Sequence, residues 1–80
     1  MSQEKKRNII DTALFVNKEL GLGTQLDFSL NFRKLKDLDE EDMKELMQRV
    51  EDKFDVLISD DDIGGIETIN DLHNLIINRT

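Results

Sequence analysis

Eighty residues with no cysteine and a single histidine leave room for one small domain and little for an enzyme cleft. They exclude disulfides, thiolate chemistry and any site that needs sulfur ligands or two imidazoles. Net charge is −7, with seven Lys/Arg against four Asp/Glu through Lys36 and four against fourteen from Asp37 onward. Such a chain is a poor ligand for nucleic acid or anionic membrane, and a basic protein surface is the natural partner of its second half. Zero prolines and few aromatics favour helices over a sandwich or barrel. No apolar run approaches the ~20 residues that span a bilayer, and no signal peptide opens the chain, so a cytoplasmic, monomeric protein is expected.

The first helix is expected from Gln3 to Leu20, with Ile9, Ile10, Ala13, Leu14, Val16 and Leu20 as its apolar stripe. Gly21 and Gly23 end it, because glycine readily takes the left-handed conformation past a helix C-terminus. From Thr24 to Asp37 the alternation of Leu26, Phe28, Leu30 and Phe32 with polar residues has a strand's period. A lone strand would have nothing to pair with, so a long loop pinned to the core by some of those side chains is expected.

The central helix occupies the segment Leu38 to Asp55. Met43, Leu46, Met47, Val50 and Phe54 recur at the spacing of one helical face. Asp39 is placed to cap it, and Glu40, Glu41 and Asp42 put negative charge at the positive end of the helix dipole. Leu38 and Met43 fit a hydrophobic staple across the cap. Further on, Ser59 can cap a very short turn through Asp60, Asp61 and Asp62. Thr68 with Asp71 can cap a last helix whose inward face is Ile69, Leu72, Ile76 and Leu75. The expected fold is all-α: an antiparallel bundle of three main helices, one short helical turn and a long loop between the first two, forming a single domain over residues 1–80.

In order and spacing, Leu20-Gly21, Phe32, Phe54-Asp55, Ile58, Asp60-Asp61, Ile66, Thr68, Ile69 and Leu72 follow a familiar pattern. Through them the chain resembles the acyl carrier proteins over nearly its whole length. The resemblance implies an Asp-Ser-Leu at the start of the second main helix, usually with a glycine two residues before the aspartate. Its serine receives 4′-phosphopantetheine from a transferase. Counting back from Phe54, Asp39 takes the aspartate position, Glu40 the serine position, Glu41 the leucine position and Asp37 the glycine position, while Asp42, Glu45 and Leu46 resume the pattern. A carboxylate attacking the pyrophosphate of coenzyme A would form a hydrolysable mixed anhydride, so Glu40 cannot replace the serine.

A non-catalytic, carrier-like domain without a prosthetic group is therefore expected. It would dock through Asp39, Glu40, Glu41, Asp42, Glu45 and Glu51 or Asp52 on a basic partner such as a biosynthetic enzyme. An alternative is a working carrier in fatty-acid, polyketide or nonribosomal peptide synthesis modified at Ser29, whose Asp27-Phe28-Ser29-Leu30 looks like the motif with one residue inserted. A second alternative is a calcium-responsive helical module using Asp60, Asp62 and Asp71, although Gly64 and Glu67 fall where a calcium loop needs a side-chain ligand and an apolar residue. His73 has no second catalytic residue in view, and Met43 and Met47 are expected in the core rather than on a binding surface.

Overall fold

The computed structural model describes residues 8–79. Among them are five helices and no strands: α1 Ile9–Leu20, α2 Phe32–Leu35, α3 Glu40–Phe54, α4 Asp60–Ile63 and α5 Ile69–Arg79. The all-α expectation holds, with one short helix more than expected.

Helix α1 starts at Ile9, where the side chain of extended Asn8 accepts from the Ile10 amide at 2.8 Å. The turn expected from Gln3 to Arg7 lies outside the described residues. At the other end, Gly21 adopts φ 70°, and its amide and that of Leu22 both donate to the Asn17 carbonyl. The buried face is rotated from the expected stripe. Ala13 and Val16 are buried, Ile9 and Leu20 pack on the core, but Ile10 and Leu14 stand exposed while Thr12 and Asn17 lie inside. Helix α1 packs against α5, and its buried face carries Thr12, Ala13, Val16 and Asn17, with Ile10 and Leu14 on the flank.

The long connection is neither a strand nor a wholly irregular loop. Asn31 caps α2 by accepting from the Lys34 amide, and Phe32, at the first position of α2, is buried. Of the alternating apolar residues only Phe32 is fully inside; Phe28 and Leu30 are half-buried and Leu26 is exposed. Four contacts across the fold hold this segment, one of them the Asn31 side-chain amide donating to the Glu67 carboxylate at 3.0 Å. The Asn17 amide donates to the Gln25 carbonyl at 2.6 Å, the Phe28 carbonyl accepts from the Asn70 amide at 3.0 Å, and Asn31 forms an isolated antiparallel bridge with Thr68. The Asn70 bond supplies an acceptor to an amide in the first turn of α5 that has no partner within its own helix.

The core joins the inner faces of α1, α3 and α5 to Phe32, Val56, Ile63 and Ile66. From α3 it takes Met43, Leu46, Met47, Val50 and Phe54, all five as the periodicity requires. Phe15 meets Phe54 edge to face, with ring centroids 5.8 Å apart, tying α1 to the end of α3. Ile69, Leu72 and Ile76 of α5 are buried and Leu75 lies half-buried at the edge.

Candidate functional site

The N-terminus of α3 is built by a reciprocal capping box. The Asp39 carboxylate accepts from the Asp42 amide at 2.8 Å, and the Asp42 carboxylate accepts from the Asp39 amide at 3.2 Å. Leu38 packs on the core just before the cap and Met43 is buried just after it, as a staple requires. Upstream, Asp37 sits at φ 53°, a left-handed conformation that glycine takes at least cost. The position that the carrier resemblance assigns to glycine is thus one of two non-glycine residues with positive φ among the described residues, the other being Asp55 at the end of α3.

Asp39, Glu40, Glu41, Asp42, Glu45 and Asp52 are all exposed. Asp39 and Asp42 spend part of their accepting capacity on the box, whereas Glu40 and Glu41 point charge outward from the first turn. Glu51 differs from its neighbour Asp52: it is half-buried, and its carboxylate accepts from the Ile58 amide at 2.7 Å. Of that pair, Asp52 is therefore the one open to a partner, and Glu51 fastens the loop after α3. The helix's own cations are partly committed elsewhere. Arg49 pairs with Glu19 of α1 at 3.2 Å, and Lys44 approaches Asp60 at 3.9 Å. Exposed pairs of this kind are worth little in stability, but they leave the outer face of α3 dominated by carboxylate. A shallow recess lined by Glu45, Gln48, Arg49 and Asp52 runs along that face.

Ser29 lies in the loop rather than on a helix. Its amide and hydroxyl both donate to the Asp27 carboxylate, at 3.2 and 3.1 Å, closing a local turn. Ser59 caps α4 through a second box with Asp62: the Asp62 amide donates to Ser59 Oγ, and the Ser59 amide and hydroxyl donate back to the Asp62 carboxylate. Asp62 also receives Arg79 Nη2 at 2.8 Å. Its pKa is lowered by the Ser59 amide first, then by Arg79 and the Ser59 hydroxyl. Asp71 accepts from the amides of Glu67 and Thr68, while Thr68 Oγ1 accepts from the Asp71 amide, a third box at the start of α5. Asp60, Asp62 and Asp71 thus each serve a separate contact, with Lys44, with Ser59 and Arg79, and with the start of α5. No cluster of three metal-ligating side chains occurs among the described residues.

His73 is half-buried on α5. Its Nδ1 is enclosed without a hydrogen-bond partner, and burial lowers its pKa. That arrangement favours the neutral ring.

Several residues that shape the surroundings were not legible beforehand. Asn17 interrupts an apolar face and was the one available signal, since a polar residue between Val16 and Leu20 needs a partner if buried. Glu51 and Arg79 bond backbone groups that are distant in sequence, and nothing local marks them.

No helix among the described residues is long and apolar enough to cross a membrane. No protein-family model matches the chain, and no solved structure matches it. It is, however, 34% identical to the acyl carrier protein of Kocuria rhizophila over 67 residues, which cover 82% of this chain and 83% of the relative. Similarity on that scale over most of both chains means that this chain belongs to the acyl carrier protein family.

Proposed function

We propose that this chain is a carrier-family domain that bears no phosphopantetheine and works by contact, docking the acidic face of α3 on a basic protein surface. One observation carries the reading: the first turn of α3 follows its cap with Glu40 and Glu41, which on the alignment to the carrier pattern leaves no hydroxyl at the attachment position. The left-handed Asp37 two residues before the cap supports that alignment independently of side-chain identity. Docking is supported by the exposure of Glu40, Glu41, Glu45 and Asp52 and by the intramolecular commitment of Arg49 and Lys44. Charge of this kind acts mainly on encounter rate and orientation. The partner would be a protein of the cytoplasm, such as a biosynthetic enzyme, and the chain itself would catalyse nothing.

Incubation with coenzyme A and a broadly specific phosphopantetheinyl transferase tests the first half, with the intact mass expected to stay unchanged. A gain equal to the prosthetic arm, mapped to Ser29, would replace this reading with that of a working carrier. For the second half, affinity purification with wild type and with Glu40→Lys/Glu41→Lys should recover a basic protein with the first bait and lose it with the second.

A further inference from the structure

We propose that Leu57 is the apolar anchor of a docking surface for a cationic, amphipathic segment of a partner protein. The inference rests on the reading of this chain as a docking domain and extends it from α3 to the loop that follows. A single exposed leucine on a protein surface is ordinary. What distinguishes Leu57 is that it is 81% exposed while the backbone around it is fastened on both sides. Its carbonyl accepts from Arg79 Nη1 at 3.1 Å, the next amide, of Ile58, donates to Glu51 at 2.7 Å, and the preceding Val56 is buried with its amide bonded to the Glu51 carbonyl. Arg79 is itself held by Asp62. The leucine is therefore presented rather than left loose, which lowers the ordering cost of covering it.

Beside it lies an open recess of about 440 Å³ lined by Asp55, Val56, Leu57 and Arg79, able to receive an apolar side chain in return. Charge defines the occupant. Asp55 and Asp61 flank the loop as exposed carboxylates, Asp60 beside them lies 3.9 Å from Lys44, and Arg79 is spent on Asp62. A segment that covers Leu57 must bring apolar contact and positive charge together, which rules against anionic lipid or nucleic acid.

The probe is a synthetic amphipathic helix of lysine and leucine, set against a lysine/serine peptide of equal charge, each titrated into the full chain at low salt and followed by amide NMR. Wild type should bind the lysine/leucine peptide with shifts centred on residues 55–61. Leu57→Ser should weaken that binding by about ten- to a hundredfold, the loss of one buried leucine, while leaving the lysine/serine peptide unaffected. Equal binding of the lysine/leucine peptide by wild type and variant overturns the proposal. So does a wild-type dimer that Leu57→Ser dissociates, because the cover would then be a second copy. A third protein, Glu41→Lys/Glu45→Lys, separates the two readings. If it binds the lysine/serine peptide as wild type does, docking by α3 fails, while the Leu57 comparison stands on its own result.

Discussion

Replacing Asp39 by alanine tests whether the N-terminus of α3 is held by its cap. The substitution removes the 2.8 Å bond from the Asp42 amide but leaves that amide in water, since both residues are exposed. No buried donor is orphaned, so the cost follows the capping scale of about 1 kcal/mol rather than the larger penalty for an unsatisfied interior group. Loss of a carboxylate beside the positive end of the helix dipole adds roughly 0.3–1 kcal/mol. Together the expected loss is about 1–2 kcal/mol, against a total stability of roughly 4–12 kcal/mol for a chain of this length. The corresponding fall in Tm is about 5–15 °C. Asp39→Asn keeps the acceptor and discards only the charge, so it should cost about 0.3–1 kcal/mol. Urea denaturation followed by helical circular dichroism measures both, with the slope against denaturant expected to match wild type. An alanine variant within about 0.3 kcal/mol of wild type, or an asparagine variant as weak as alanine, would refute the assignment of stability to the box.

Three further outcomes are expected. Glu40→Ser combined with Glu41→Leu completes the family's motif behind Asp39 and should make the chain a substrate for the transferase; a folded double variant whose mass does not rise would show the alignment to be wrong. Asp37 occupies φ 53°, so Asp37→Val should destabilise by about 1–2 kcal/mol in thermal unfolding, while Asp37→Gly should be neutral or stabilising. Asp62 titrates below its ordinary value in the folded chain, so its contribution is present above the unfolded carboxylate pKa of about 4 and is lost as pH falls from there through the lowered native value. Asp62→Asn should therefore flatten the acid limb of stability against pH, and parallel limbs for variant and wild type would count against the Ser59–Asp62–Arg79 cluster as its source.

Much of the fold was legible because its signals are local. Asp39, Ser59 and Thr68 are caps recognisable by residue type and by a carboxylate three positions on, and a bond spanning three residues depends little on the rest of the chain. The buried faces of α3 and α5 follow from period alone, since each helix buries one continuous stripe. The candidate docking residues were equally legible, because acidic side chains opposite an apolar stripe are exposed whatever the stripe packs against. Glu51 was the exception: half-buried and bonded to Ile58, it differs from Asp52 only through a loop that returns beside it.

What the tertiary structure alone decided concerns contacts between segments far apart in sequence. The alternation from Leu26 to Phe32 has a strand's period, but with no neighbouring strand its backbone groups find other partners. The Phe28 carbonyl takes the Asn70 amide of α5, Asn31 meets Thr68, and Phe32 begins a helical turn that drives its ring into the core. The rotation of α1, with Thr12 and Asn17 inside and Ile10 and Leu14 outside, was set by where α5 lies and by the Gln25 carbonyl that Asn17 reaches. Leu57 became notable only because Arg79, 22 residues later, holds its carbonyl. Composition and period determine the main helices and the faces that α3 and α5 bury; the azimuth of α1 and the course of the loop after it depend on partners that sequence order does not reveal.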